Sequence, residues 1–159
     1  MTLVALAGAS GKLGRIIHSV IDETPGFEVT RVLGSASEPG EVAGAELVVD
    51  ATNIEASEKI VREAIARGIP TLVATSGWSA EKVAEITPLA QAAGVAVVFI
   101  PNFSLGSVIG SRIAAQAARF FDFAEVVEAH RDTKIDSPSG TAVRTAELIA
   151  AAKDEPVRA

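Results

Sequence analysis

The sequence contains no cysteine. That removes disulfide staples, thiolate zinc sites and a cysteine nucleophile, and it leaves the redox compartment undetermined. No metal is expected. Positive charge is also in short supply, with 14 Lys and Arg against 20 Asp and Glu and a net charge of −6. The field of the whole molecule would repel a nucleic-acid backbone and an anionic membrane surface, so an anionic ligand must be captured by a local set of donors. Neither nucleic acid nor membrane is expected as a partner. Long hydrophobic runs are missing as well. The opening MTLVALAGASGKLG is too short for a signal h-region and lacks a basic n-region, and later apolar stretches are interrupted by Arg112 and Arg119. A soluble, cytoplasmic protein is expected. There is no repeat of fixed period and no low-complexity linker.

What is present suffices for a packed core: 48% hydrophobic residues in 159. Leu3 to Ala7 is a short apolar run ending in glycine, and Leu13 to Ile21 places Ile16, Ile17 and Val20 at helical spacing. Further strands are predicted at Phe27 to Leu33, Leu47 to Val49, Thr71 to Ala74 and Val95 to Ile100. Helices are predicted from Ile54 to Arg67, closed by Gly68, and from Ser79 to Gly94, bent or broken at Pro88. Strands alternating with helices require right-handed crossovers, hence a parallel sheet covered on both faces. The expected class is α/β, a doubly wound Rossmann domain over residues 1–123, followed at 124–159 by the start of an α+β substrate and oligomerisation domain. A helix from Ser104 to Phe121 ends the first part. A strand at Ala124 to Ala129 and a helix from about Thr141 to Lys153 make up the second, too small to bury a core alone.

Gly8, Gly11 and Gly14 have the spacing G-x-x-G-x-x-G between the first strand and first helix. Such a turn lets backbone approach a pyrophosphate at a helix N-terminus, and alternatively serves as a tight turn with no ligand. An NAD site usually carries a carboxylate at the end of the second strand. Here that region reads Arg31-Val32-Leu33-Gly34-Ser35-Ala36-Ser37, with no carboxylate before Glu38. Ser35, Ser37, Lys12 or Arg31 could contact a 2′-phosphate, so NADPH or dual use is favoured. Asp50-Ala51-Thr52, Thr75-Ser76-Gly77 and Pro101-Asn102-Phe103-Ser104 end three further strands and could line a nicotinamide and its ribose. Each also suits ordinary turn or cap chemistry.

The densest polar stretch is HRDTKIDSPSGTA, residues 130 to 142. The imidazole of His130 could deliver a proton, and Lys134 could pin a carboxylate or assist a proton donor. Ser139-Gly140-Thr141 opens the last helix, offering backbone N–H groups, two hydroxyls and the positive dipole end to a carboxylate, or simply an N-cap.

Taken in order, GASGKLG, ATSGWS, PNFSLG and EAHRDTKIDSPSGTA resemble the dihydrodipicolinate reductase family over essentially the whole chain; Arg119-Phe120-Phe121-Asp122 looks like its actinobacterial branch. The resemblance implies NADPH- or NADH-dependent reduction of 4-hydroxy-tetrahydrodipicolinate to tetrahydrodipicolinate in lysine and diaminopimelate biosynthesis. It implies His130 and Lys134 as the catalytic pair. Cofactor contacts are implied at Gly8, Ser10, Gly11, Lys12, Leu13, Thr52, Ala74, Gly77, Asn102 and Phe103, to which the reading of the residues adds Ser35 and Thr75. It also implies Lys134, Ser139, Gly140 and Thr141 on a small dicarboxylate substrate, and a homo-oligomer, a tetramer. The pattern departs at Arg131, where the family has a second histidine. Arginine cannot act as an acid but could hold a carboxylate. Family members also continue well past the PSGTA helix, so the chain reads as truncated, and residues 124–159 are expected to show association or disorder. Two alternatives stay open: a nucleotide-binding module without turnover, because its substrate domain is incomplete, and a sibling reductase of another carboxylate.

Overall fold

A computed structural model of the chain describes residues 1–100, 102–132 and 137–153. They form two compact units, Met1–Ile100 and Pro101–Ala159. The sequence pattern had grouped Ser104 to Phe121 with the sheet, whereas in the structure these residues fall in the second unit.

In the first unit, Thr2–Ala7 (β1) is followed by Lys12–Glu23 (α1), Phe27–Leu33 (β2), Leu47–Asp50 (β3), Ile54–Ala66 (α2), Thr71–Val73 (β4), Ala80–Ala93 (α3) and Val97–Phe99 (β5). The strands form one parallel sheet in the order β2-β1-β3-β4-β5. Both faces of its centre are buried, which is why β1 reads as a continuous apolar run. The period of two decides which residue goes to which side. Ala5, Ala7 and Val48 join Ile60 and Ala64 of α2, while Val4, Leu6 and Val49 pack with Ile17 and Ile21 of α1. Val4, Leu6 and Val48 are fully buried, worth about 1.5–3 kcal/mol each. The helices on opposite faces make β1 and β3 the place where the winding reverses, and the C-terminal ends of those two strands flank a crevice.

Local chemistry ends the elements as expected. Asn53 Oδ1 accepts the Ala56 N–H at 3.1 Å at the start of α2, and Ser79 Oγ accepts the Lys82 N–H at 3.3 Å at the start of α3. Gly94 closes α3 with φ +66°, a left-handed conformation that suits glycine. The link from β2 to β3 holds a 3-10 turn at Pro39–Val42 whose Val42 enters the core. One detail differs from the sequence reading: α3 does not break at Pro88, because Ile86 and Ala90 on either side of the proline are buried in one cluster with Val61, Ile65 and Val73, which holds both halves in line.

The second unit consists of Leu105–Ala118 (α4) and Gly140–Lys153 (α5), packed against each other and joined by a 2.7 Å hydrogen bond between Ser111 Oγ and Thr145 Oγ1. α4 stops short of Phe121, where Phe120 and Phe121 donate to carbonyls three residues back, a tightened last turn. The strand expected at Ala124 to Ala129 is not formed. A strand exists only as part of a ladder, and all five paired strands among the described residues belong to the first unit. No helix among the described residues is long and apolar enough to cross a membrane.

Candidate functional site

The glycine-rich turn sits at the head of β1. Gly8 has φ +83°, and a Cβ built there would lie 2.2 Å from the Ala51 carbonyl oxygen that follows β3. A Cβ on Gly14 would lie 2.0 Å from the Gly8 oxygen, and one on Gly11 3.3 Å from the same atom. The chain here is packed backbone on backbone, which only glycine allows. Ser10, Gly11 and Lys12 are exposed on this turn and Leu13 is half-buried.

The start of α1 differs from every other helix start in the described residues. α2, α3, α4 and α5 each begin with a side-chain oxygen accepting a first-turn N–H, from Asn53, Ser79, Ser104 and Ser139 respectively. α1 begins at Gly11 with no side-chain cap and no acidic residue in its first turn. Its N–H groups and dipole therefore face outward without an internal anion, beside Lys12, an arrangement that fits a pyrophosphate. Beyond β2, Ser35 is exposed and Glu38 begins the 3-10 turn, its N–H donating to Glu41 Oε1 at 2.8 Å in a reciprocal capping box.

The ends of β3 and β4 are tied together. Asp50, fully buried, accepts from Thr52 Oγ1 at 2.5 Å, from the Thr52 N–H at 3.2 Å and from Ser57 Oγ. The Thr52 N–H also donates to Thr75 Oγ1 at 2.8 Å, and the Ala74 N–H to the Asp50 carbonyl at 2.7 Å. Gly77 has φ +93° and would press a Cβ to 3.4 Å from Ile54. Thr52, Ala74, Thr75 and Gly77 thus share one edge of the sheet with the glycine turn. Asn102 and Phe103 lie in the second unit, where Asn102 Nδ2 donates to Ser107 Oγ at 2.9 Å and to Thr141 Oγ1 at 3.1 Å.

In the polar stretch of the second unit, His130 and Arg131 are exposed, and Lys134 lies outside the described residues. The helix-opening triplet is already engaged. Glu128 accepts the Ser139 N–H at 2.8 Å and the Ser139 hydroxyl, and its Oε2 stands 3.5 Å from His130 Nδ1. Ser139 is buried and caps α5 through the Ala142 N–H at 3.1 Å, while Gly140 and Thr141 are exposed. A substrate carboxylate meeting this helix start finds Gly140 and Thr141 at the surface and an internal carboxylate on Ser139. Glu128 was passed over in the sequence, although in extended chain residues two apart share a face, so E-A-H already places it beside His130.

Residues 2–103 match the family described as dihydrodipicolinate reductase, N-terminus, and residues 106–158 match the same reductase's C-terminus. The chain belongs to the dihydrodipicolinate reductase family. Among curated relatives, a 4-hydroxy-tetrahydrodipicolinate reductase of Clavibacter michiganensis subsp. michiganensis is 45% identical over 153 residues, covering 96% of this chain and 55% of that protein. One from Cutibacterium acnes is 36% identical over 156 residues, covering 98% of this chain and 63% of the relative. The chain therefore spans between about half and two thirds of the length of these relatives. A solved structure described as dipicolinate-bound dihydrodipicolinate reductase from Paenisporosarcina sp. TG-14 superimposes with a TM-score of 0.76 at 22% identity, covering 100% of this chain and 69% of that one. At that identity the likeness establishes the fold, with a Rossmann-like parallel sheet.

Proposed function

We propose that this chain carries the dinucleotide-binding part and the start of the substrate part of an NAD(P)H-dependent 4-hydroxy-tetrahydrodipicolinate reductase acting in lysine and diaminopimelate biosynthesis in the cytoplasm. The observation that carries this is the uncapped α1 N-terminus on a glycine turn too tight for any Cβ, at the winding reversal of a parallel sheet. Gly8, Ser10, Gly11, Lys12 and Leu13 would hold the pyrophosphate, Ser35 the adenosine ribose, and Thr52, Ala74, Thr75, Gly77, Asn102 and Phe103 the nicotinamide half. With Glu38 engaged by Glu41, no carboxylate is set aside for a ribose 2′-hydroxyl, which favours NADPH or dual use.

The C4 hydroxyl leaves together with a hydrogen of the neighbouring ring carbon as water, and a bound reduced nicotinamide would supply a hydride to C4 of the double bond so formed. His130 delivers the proton to the adjacent ring carbon, with Glu128 on its Nδ1 side orienting the imidazole and leaving Nε2 for transfer. Lys134 assists and contacts substrate, and Arg131, Gly140 and Thr141 receive the substrate carboxylates; Ser139, expected to join them, instead gives both its N–H and its hydroxyl to Glu128. The assembly is a homo-oligomer, a tetramer by family resemblance. The Paenisporosarcina protein's bound dipicolinate, a cyclic dicarboxylate, supports the substrate class.

The test is to mix the chain with NADPH or NADH and freshly made 4-hydroxy-tetrahydrodipicolinate and follow the absorbance of the reduced cofactor. Oxidation that depends on substrate is the expected result. Binding without oxidation would instead favour the module without turnover, a reading motivated by the 55% coverage of the Clavibacter relative. Oxidation by a different cyclic carboxylate alone would favour the sibling reductase, with Arg131 as the distinguishing residue.

A further inference from the structure

The first unit contains a buried polar relay that the proposed chemistry leaves without a task. Trp78 Nε1 donates to Ser57 Oγ at 2.9 Å, Ser57 Oγ donates to Asp50 Oδ2, and Asp50 Oδ1 accepts the Thr52 hydroxyl at 2.5 Å. Asp50 and Ser57 are fully buried, and Trp78 packs on Phe99 with ring centroids 4.8 Å apart. Ser57 is a polar residue on the face of α2 that also buries Ile60, Val61, Ala64 and Ile65. A carboxylate in this position is costly unless its lone pairs are filled, and apolar residues would serve packing alone better.

The direction of every bond in the relay is fixed by chemistry. An indole N–H can only donate, so Ser57 oxygen must accept from Trp78 and spend its one hydrogen on Asp50. Asp50 in turn takes the Thr52 hydroxyl hydrogen, and the Thr52 N–H is shared between Asp50 and Thr75 Oγ1. With its hydrogen given to Asp50 at 2.5 Å, the Asn53 carbonyl standing farther off at 3.3 Å, the Thr52 oxygen keeps lone pairs with which to accept, and its methyl lies 3.2 Å from where a Gly8 Cβ would sit. The relay thus joins the loops after β3 and β4 and sets both the rotamer and the polarity of Thr52.

We propose that Asp50, Ser57 and Trp78 are positioning residues which hold Thr52 as a hydrogen-bond acceptor for the nicotinamide half of the dinucleotide, without touching it themselves. This rests on the reading that the sheet edge binds a nicotinamide dinucleotide. The test compares calorimetric affinities for NADPH, NADH and ADP in the chain and in Ser57→Ala, Trp78→Phe, Thr52→Val and the Ser57→Ala/Thr52→Val double variant. ADP covers only the pyrophosphate and adenosine, which meet the glycine turn. Ser57→Ala and Thr52→Val should each weaken the reduced dinucleotide about tenfold, the worth of one well-placed hydrogen bond, and leave ADP unchanged. The double variant should lose no more than Thr52→Val alone, because the relay acts through that side chain.

Trp78→Phe keeps the aromatic packing and removes only the donor, so it reports even where Ser57→Ala fails to fold; its expected loss is smaller and again confined to the dinucleotide. As Trp78 is the only tryptophan, energy transfer from its emission to bound reduced nicotinamide gives a second readout in the unaltered chain and in the Ser57 and Thr52 variants, which keep it. Parallel loss of ADP and dinucleotide, no loss of either, or additive losses in the double variant would overturn the relay while leaving dinucleotide binding intact. Failure of the unaltered chain to bind NADPH, NADH and ADP would overturn both readings.

Discussion

Gly14→Ala isolates how tightly the nucleotide turn is built. Inside a helix this exchange should help, since alanine exceeds glycine in helix propensity by about 1 kcal/mol. At Gly14 the new methyl would instead stand 2.0 Å from the Gly8 oxygen, 2.7 Å from its carbonyl carbon and 2.8 Å from Ala9 Cα, where ordinary contacts lie at 3.4–4 Å. All three are backbone atoms, and Gly8 cannot retreat, because its own Cβ position is already 2.2 Å from the Ala51 oxygen. The strain must be relieved by lifting the start of α1 off the sheet. Overpacking of this kind costs roughly 1–3 kcal/mol or somewhat more, enough to outweigh the propensity gain. A net loss of about 1–2 kcal/mol would lower Tm by about 2–8 °C for a chain of this size. Gly110→Ala in α4 is the control, because nothing lies within 4 Å of its Cβ position; there only propensity acts, and stability should rise by up to about 1 kcal/mol. Urea unfolding of both variants, with dinucleotide affinity measured alongside, gives the answer. If Gly14→Ala were as stable as the unaltered chain, or shifted upward with Gly110→Ala, the close-packed turn would be refuted.

His130→Ala should depress the chemical step about 10²–10⁴-fold while sparing cofactor affinity, and an unchanged kcat would remove it as the proton donor. Lys134→Ala and Thr141→Ala should raise KM as well as lower kcat, which steady-state kinetics would separate. Glu128→Gln keeps the shape but weakens the charge-assisted bonds to Ser139 and the pairing with His130, so kcat should fall with dinucleotide affinity unchanged; an unchanged kcat would leave Glu128 only a structural part. Asn53→Ala, which strips the cap from α2, should cost about 0.5–2 kcal/mol in urea unfolding.

Much of this was legible before any coordinates. Helical spacing located α1, α2, α4 and α5, and the glycine spacing marked the nucleotide turn, because periodicity, caps and left-handed turns are local properties of the chain. In the HRDTKIDSPSGTA stretch the residues themselves offered a proton donor, a cation and a helix start, and the assignment of roles to them came through resemblance. The sequence by itself determined that a parallel, doubly wound sheet with a glycine turn at its head would form. Only the tertiary structure decided that Ala124 to Ala129 pairs with no strand among the described residues, since a strand depends on an edge elsewhere. It alone showed α3 passing through Pro88, because burial of Ile86 and Ala90 outweighs the lost helical bond. It also decided where two carboxylates go: buried Asp50 into a relay with Ser57 and Trp78, half-buried Glu128 onto Ser139. A residue's hydrogen-bond partner is whatever the fold brings within about 3 Å, and residue type or spacing along the chain does not specify that.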